Sequence, residues 1–212
     1  GLRSPATARY HALRIGLWCE GYRASDARQV AARAAADMRG HYAPATINRS
    51  LGALKAGLRL AFERGRTVVN YSDHVRRLPE HNMRETVLTI QQVRSLADHA
   101  SEATRAAIWL ALYTGCRRGE LLALRPGDIG HSALTIRAGN TKTLKTRVIP
   151  IVGAARPWLK FVPLALNAEG LKSGFRRARE AAELPGVTFH DLRRSCATLM
   201  LQAGVELHVV SK

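Results

Sequence analysis

A chain of 212 residues, 46% of them hydrophobic, is long enough for one large or two small domains, and this composition excludes a disordered protein. Its formal charge of +17 is spread over both halves of the sequence. Residues 1–80 have 14 basic and 6 acidic side chains (14 − 6 = +8), and residues 81–212 have 19 and 10 (19 − 10 = +9). A polyanion that contacts both halves, nucleic acid first, is therefore the expected partner. No apolar run approaches the length of a membrane span, and no segment combines a basic face with a bulky aromatic and leucine face, so no membrane partner is expected.

The cysteines and histidines predict neither a disulfide framework nor a metal site. The three cysteines are far apart in sequence, and the eight histidines are scattered, without His-x-x-x-His or Cys-x-x-Cys spacing. Such cysteine usage is typical of a reducing compartment. We therefore expect a cytoplasmic protein that holds no metal and needs no cofactor.

Helices are predicted along the first 65 residues. Residues 1–22 are weakly patterned, with Leu13, Leu17 and Trp18 as one possible buried face. A segment rich in alanine and arginine, 26–38, is typical of a helix. The clearest helix covers 44–63, where an apolar stripe recurs at three- and four-residue spacing. The stripe consists of Ile47, Leu51, Leu54, Leu58 and Phe62.

Four polar residues lie off this apolar stripe and are candidates for contact with DNA: Asn48, Arg49, Lys55 and Arg59. Lys55 and Arg59 are like charges four residues apart, which repel each other on a helix unless an anion lies over them. A solvated helix face is the alternative and the commoner outcome for such a run. The basic character of the whole segment favours phosphate contact.

A linker is predicted over residues 66–86, with a domain boundary near residue 80, which gives domains 1–80 and 81–212. Thr89 and Gln92 form a capping box, so a helix is expected to begin there. The run 103–113 is too apolar for a surface helix and too short to span a bilayer, which predicts a core helix.

Two short strands are predicted next, 134–136 and 148–151, joined by a hairpin turn that carries Lys142 and Lys145. Helices follow over three segments: 157–162, 171–182 and 189–201. The predicted fold class is therefore mainly α with a small antiparallel β-sheet.

Charged motifs stand at the end of the core helix and at the start of the last helix. Arg117 and Arg118 follow a glycine, and Glu120 lies three residues after Arg117, on the same helical face. An arginine presents a planar fork of donors suited to phosphate oxygens, although a structural ion pair is the alternative. His190 and Arg193 lie one turn apart near a helix N-terminus, which favours an anion.

These groups are the ones that phosphoryl transfer without a metal requires. Two arginines can neutralise the non-bridging oxygens as charge develops. A lysine or histidine can protonate the leaving oxygen. A nucleophile must attack in line.

Several stretches carry a resemblance to a known family. The stretch from Thr114 to Leu121, Thr-Gly-Cys-Arg-Arg-Gly-Glu-Leu, resembles the first-arginine motif of the tyrosine recombinase (phage integrase) family. His190-Asp191-Leu192-Arg193 resembles its second box, and Thr141-Lys142-Thr143 lies between them, where the family has a hairpin lysine. The segment 45–65 resembles the family's helical core-binding domain. Each motif is weak alone, but their order and rough spacing are specific, and together they cover nearly the whole chain.

The resemblance implies the fold, the activity and the partners of this chain. It implies an N-terminal helical core-binding domain and an α+β catalytic domain. The implied activity is site-specific recombination or integration of DNA, as in a mobile element, through a 3′-phosphotyrosyl intermediate. Double-stranded DNA would be the partner, bound by a homotetramer on paired sites in the prokaryotic cytoplasm, at the nucleoid.

The resemblance also implies a role for each candidate residue. Arg117 and Arg193 would clamp the scissile phosphate, and Glu120 would support Arg117. Lys142 would be the general acid for the 5′-oxygen, and His190 would assist proton transfer at the nucleophile. Three further residues have secondary roles: Lys145 is the second candidate for the lysine, and Arg118 and Arg194 are candidates for DNA-backbone or structural contacts. At position 194 many relatives carry histidine, so Arg194 is a departure.

The family's nucleophilic tyrosine follows the second box, whereas the five tyrosines of this chain all precede His190. We therefore expect a chain truncated before its nucleophile and inactive alone. A catalytically inactive DNA-binding relative is an alternative. A type IB topoisomerase shares the chemistry but fits the N-terminal helices less well.

Overall fold

The computed structural model describes residues 5–80, 85–140 and 145–210. The chain divides into two compact units, Gly1–Arg84 and Glu85–Lys212, four residues beyond the predicted boundary. The described residues are mainly helical with a two-stranded antiparallel sheet, which confirms the predicted fold class. The elements are α1 (Pro5–Gly16), α2 (Ala27–Met38), α3 (Pro44–Glu63), α4 (Ile90–Asp98), α5 (Glu102–Thr114), α6 (Arg118–Leu122), β1 (Ala133–Ile136), β2 (Arg147–Pro150), α7 (Arg156–Leu159), α8 (Ala168–Ala181), α9 (Phe189–Gln202) and α10 (Leu207–Val210).

The first unit packs α1, α2 and α3 around a small core. The alanine-rich face of α2 is buried, with Ala34 and Met38 almost fully removed from solvent. On α3 the apolar stripe is buried at its start, at Ile47 and Leu51, but Phe62 at its end is 41% exposed. The stripe therefore anchors the first half of the helix, and its last turns extend beyond the core.

The predicted buried face of the first helix is wrong. Leu13 and Leu17 are 64% and 76% exposed, and only Trp18 of that set packs against the core. His11 and Ile15, four residues apart, are buried instead. Burial lowers the pKa of His11, so its neutral imidazole can occupy a position that hydropathy assigns to leucine.

Helix α5 is the centre of the second unit. Every residue from Ala106 to Leu112 is buried, because the helix contacts α4, α7, α8 and α9 around its circumference. On α8, a Cβ at Gly174 would lie 2.6 Å from Oγ1 of Thr104, so only glycine lets the two helices approach this closely. The predicted core helix is confirmed.

The sheet pairs β1 with β2 in antiparallel register, with Leu134 opposite Ile149 and Ile136 opposite Arg147. Because side chains alternate along a strand, Arg147 lies on the same face as Ile149, while Val148 between them is 64% exposed. This register brings the first residue of β2 onto the partly buried side of the hairpin.

Some element bounds differ from the prediction. The helix expected over 157–162 ends at Leu159, and Pro163 restricts the preceding Val162 to non-helical conformations. Helix α8 begins three residues early, because Asn167 caps it by accepting a hydrogen bond from Gly170 N. Across the described parts of the chain, no helix combines the length and apolarity needed to cross a membrane.

Candidate functional site

The site is built around Glu120, the third residue of the short helix α6. Oε2 of Glu120 accepts a hydrogen bond from Arg117 N at 2.7 Å, and Oε1 accepts one from Nη1 of Arg117 at 2.8 Å. The carboxylate thus caps the helix and holds the arginine side chain at the same time. The side chain of Glu120 is 1% exposed, whereas that of Arg117 is 38% exposed and reaches solvent.

A second arginine, Arg147 of β2, shares this carboxylate. Its Nη2 donates to Oε2 of Glu120 at 2.6 Å, and its side chain is 18% exposed. The same Nη2 lies 4.0 Å from Sγ of Cys116. Glu120 therefore joins the start of α6 to the start of β2, two elements that are 27 residues apart in sequence.

Arg193 of α9 joins the group through the C-terminus of α5. Its Nη1 donates to the carbonyl oxygen of Gly115, the left-handed residue (φ +60°) that ends α5. A Cβ at Gly115 would lie 3.3 Å from Sγ of Cys196, so both the conformation and the space favour glycine. Gly115, which belongs to the motif of residues 114–121, therefore lies where helices α5, α6 and α9 meet.

The arginine cluster, defined as Arg117, Arg147, Arg193 and Glu120, carries three positive charges and one negative charge. Burial lowers the pKa of Arg193, and the charges of Arg117 and Arg147 lower it further, against the opposing effect of Glu120. Mutual repulsion of this kind is relieved when an anion binds among the arginines. The cluster is chemically suited to an oxyanion such as a phosphate.

Two cysteines lie beneath the cluster. Burial raises the pKa of Cys116, and burial with the neighbouring Cys116 raises the pKa of Cys196 to about 11. Both thiols stay protonated at neutral pH, so neither is a nucleophile. Among the described residues, no three His, Cys, Asp or Glu side chains converge to hold a metal ion.

The other candidates of the second unit are placed as follows. His190 lies in the first turn of α9, exposed, and makes no hydrogen bond to the described residues. Arg118 is exposed at the start of α6. Nη1 of Arg194 lies 3.6 Å from Oδ1 of the buried Asp191, which favours a structural role for Arg194. Lys145 is exposed just before β2.

Lys142, the predicted general acid, lies outside the described residues. Its position relative to the arginine cluster therefore stays a prediction.

In the first unit, the hydrogen bonds of Asn48 within the protein argue against the predicted contact with DNA. Its side chain is 5% exposed and both ends of the amide are used. Nδ2 donates to the carbonyl of Leu78 at 2.8 Å and to Oε1 of Glu80 at 2.6 Å, and Oδ1 accepts from Leu78 N at 2.7 Å. Asn48 instead fastens residues 78–80 to α3.

The remaining candidates on α3 differ in how their charges are compensated. Lys55 lies 3.5 Å from Oδ1 of Asp73, and Arg59 pairs with Glu63 at 2.8 Å. Arg49 is exposed. Asp73 and Glu63 therefore neutralise part of the positive charge of Lys55 and Arg59, the two side chains predicted to contact phosphate.

Sequence reasoning missed a more basic surface in the same unit. A groove of about 320 Å³ between α2 and residues 74–78 has an alanine floor, and its basic residues are Arg28, Arg39, His74, Arg76 and Arg77. None of these four arginines makes an ion pair with the described residues. The Arg76-Arg77 pair in the predicted linker was the one sequence signal of this arginine groove.

Arg147 was also missed, because its partner is distant in sequence. The available signal was a charged residue directly before a predicted strand, in phase with the apolar Ile149.

Comparison with known proteins finds similarity to the phage integrase family. A model of the phage integrase family matches residues 86–162. The chain is 28% identical to the shufflon-specific DNA recombinase of Escherichia coli over 170 residues, which cover 75% of this chain and 44% of that protein. It is 29% identical to tyrosine recombinase XerC 2 of Ralstonia nicotianae over 163 residues, 63% of this chain and 46% of that one. The chain spans less than half the length of either relative.

The fold is that of an integrase. The structure of a lambda integrase dimer bound to a COC′ core site gives a TM-score of 0.77 over 96% of this chain and 66% of that one, at 20% identity. A lambda integrase tetramer bound to a Holliday junction gives 0.69 over 86% and 62%, also at 20% identity. The chain thus has the fold of an integrase and is similar, over residues 86–162, to the phage integrase family.

Proposed function

We propose that this chain carries the phosphate-binding part of a site-specific DNA recombinase or integrase, which breaks and rejoins DNA strands through a 3′-phosphotyrosyl intermediate. The observation that carries the proposal is the arginine cluster, in which Glu120 holds Arg117 while Arg193 converges from another helix. Similarity to the phage integrase family suggests the reaction class, and the surplus positive charge of both halves supports a DNA partner.

In this reaction a tyrosine oxygen attacks the scissile phosphorus. The bond between phosphorus and the 5′-oxygen breaks, the protein becomes linked to the 3′-phosphate, and the departing 5′-oxygen takes up one proton. Arg117 and Arg193 would bind the non-bridging oxygens, whose negative charge increases in the transition state. Lys142 would donate the proton to the 5′-oxygen, and His190 would accept the tyrosine proton. Rejoining reverses these steps, so the reaction needs neither ATP nor a metal.

The proposal excludes Tyr113 as the attacking tyrosine. Tyr113, the single tyrosine after residue 84, stacks on Trp109 with ring centroids 5.4 Å apart, and burial raises its pKa. A packed phenol with a raised pKa is a poor nucleophile. The proposal therefore assigns the nucleophile to a tyrosine other than Tyr113.

For the first unit, the proposal places DNA phosphates along the arginine groove. The four arginines there have no carboxylate partner among the described residues, whereas Lys55 and Arg59 on α3 do. Uncompensated arginines gain more from a phosphate than arginines that are already paired. Assembly as a tetramer on paired DNA sites belongs to the same proposal, by analogy with the lambda integrase tetramer.

The experiment uses the complete open reading frame that contains these 212 codons. A binding duplex is first selected from a random-sequence pool with residues 1–212, and a nick is placed near its centre so that a cleaved strand diffuses away. We expect a covalent protein–DNA adduct on a denaturing gel. Arg117→Met and Arg193→Met should each reduce the adduct by about 10²–10³-fold. An adduct that is unaffected by both substitutions would reject the proposal.

A further inference from the structure

Arg147 makes the shortest ion pair of the arginine cluster, and neither the family motifs nor the proposed reaction assigns it a role. Its Nη2 lies 2.6 Å from Oε2 of Glu120, the same oxygen that accepts the Arg117 backbone N–H. The other carboxylate oxygen, Oε1, receives the Arg117 guanidinium. Two arginines therefore hold one carboxylate from opposite oxygens.

This ion pair is a buried one. The side chains of Arg147 and Glu120 are 18% and 1% exposed, whereas those of the surface pair Lys172–Glu169 are 65% and 76% exposed. A buried ion pair is retained only when good geometry offsets the cost of desolvation. Strand alternation directs Arg147 to the side of Ile149, so the register of the hairpin fixes the contact.

We propose that Arg147 is a positioning residue for Arg117: by holding Oε2 of Glu120, it keeps Oε1 directed at the Arg117 guanidinium. This inference rests on the proposed function, because it requires Arg117 to bind the scissile phosphate. Without Arg147, Oε2 of Glu120 keeps the Arg117 backbone N–H but loses its second donor, so the carboxylate is held less firmly and the Arg117 guanidinium is less well oriented.

The test compares strand cleavage with DNA binding in Arg147→Met and Arg147→Lys. We expect both variants to lower the cleavage rate constant by about 10–100-fold with less than 3-fold change in the Kd for the duplex. The matched control is Arg137→Met, since Arg137 follows β1 and pairs with Asp128 at 3.0 Å rather than with Glu120, while its Nη2 also donates to the carbonyl of Ala123. It should change cleavage less than 2-fold. Normal cleavage by Arg147→Lys would show that charge alone matters and would overturn the inference.

A double-mutant cycle tests whether Arg147 acts through Arg117. In an Arg117→Met background, Arg147→Met should lower the cleavage rate less than 2-fold further. An equal loss in both backgrounds would assign Arg147 an independent role and overturn the inference. Should Arg147→Met fail to fold, Glu120→Gln/Arg147→Met removes both charges of the pair, and wild-type cleavage by that variant would also overturn it.

A spectroscopic measurement separates failure of this inference from failure of the proposed function. In ¹⁵N-labelled residues 1–212, the Nε–H resonance of Arg117 should shift in Arg147→Lys and stay in place in Arg137→Met. If the wild-type protein forms no covalent adduct but the Arg117 resonance shifts, the proposed reaction is rejected and the positioning role of Arg147 stands. An unmoved Arg117 resonance would overturn the positioning role whatever the activity.

Discussion

At the scale of single residues, Glu120 holds the candidate site together. One buried carboxylate caps α6, orients Arg117 and binds Arg147, so three interactions depend on one side chain. Sequence spacing alone predicted the contact with Arg117, since the two residues are three apart on a helix. The contact with Arg147 could not be predicted, because it depends on how a hairpin packs against α6.

Glu120→Gln should therefore lower the free energy of unfolding by about 2–4 kcal/mol, since it leaves two partly buried arginines without an anion. Chemical denaturation of residues 1–212 measures this change. The control is Glu169→Gln, which breaks the exposed pair with Lys172 and should cost at most about 0.5 kcal/mol. Equal free energies of unfolding for Glu120→Gln and Glu169→Gln would contradict the conclusion that Glu120 holds the two arginines together.

Cys196 gives a pH-dependent prediction. Its pKa rises from 9.0 to about 11 on folding, mainly through burial, so the native state favours the protonated thiol. The associated stability is complete below about pH 9 and is lost as the pH rises through 11. With 1.36 kcal/mol for each pKa unit, the loss is at most about 3 kcal/mol.

Urea unfolding of wild type and Cys196→Ala at pH 8 and pH 11 measures this contribution. The wild type should lose about 2–3 kcal/mol more than the variant between the two pH values. Identical pH dependence in both proteins would show that the thiol is not buried as described.

At the scale of elements, the sequence was informative where a pattern is local. The bounds of α3 followed from Pro44 and from an apolar stripe, and α5 followed from an uninterrupted apolar run. The sequence was misleading where a polar side chain is buried by a distant partner. Asn48 looked like a surface residue on α3 because its hydrogen-bond partners, Leu78 and Glu80, are about thirty residues away.

Asn48→Ala should consequently destabilise the first unit by about 2–3 kcal/mol, because it breaks three hydrogen bonds and leaves the partly buried backbone N–H of Leu78 without its acceptor. Its DNA binding at a fixed temperature below unfolding should keep the salt dependence of wild type. The adjacent exposed Arg49 is the control, since Arg49→Ala should leave stability unchanged and lower the salt slope by about 1. A lowered slope in Asn48→Ala would restore Asn48 as a DNA contact.

At the scale of the whole molecule, the surplus of positive charge is spread over both halves of the sequence. Composition predicted the polyanion partner but not which arginines are available to it, because availability depends on where carboxylates lie. With about eight phosphate contacts, log K for duplex DNA should fall with a slope near −7 against log salt.

The arginine groove and helix α3 can be compared at equal charge. Arg28→Gln/Arg39→Gln and Lys55→Gln/Arg59→Gln each remove two positive charges from the first unit. We expect the groove variant to reduce the salt slope by about 2 and the α3 variant by less than 1, since Asp73 and Glu63 already neutralise the latter. Fluorescence anisotropy with a labelled duplex at several salt concentrations measures both, and equal slopes would contradict the preference for the groove.

The measurement that tests the central claim most directly is the yield of covalent protein–DNA adduct on the nicked duplex, compared between Arg193→Met and Arg137→Met. Both variants lose one arginine from the second unit, but only Arg193 belongs to the arginine cluster. The phosphate-binding role of the cluster predicts a loss of at least about 100-fold for Arg193→Met and wild-type yield for Arg137→Met. Equal yields from the two variants would contradict it.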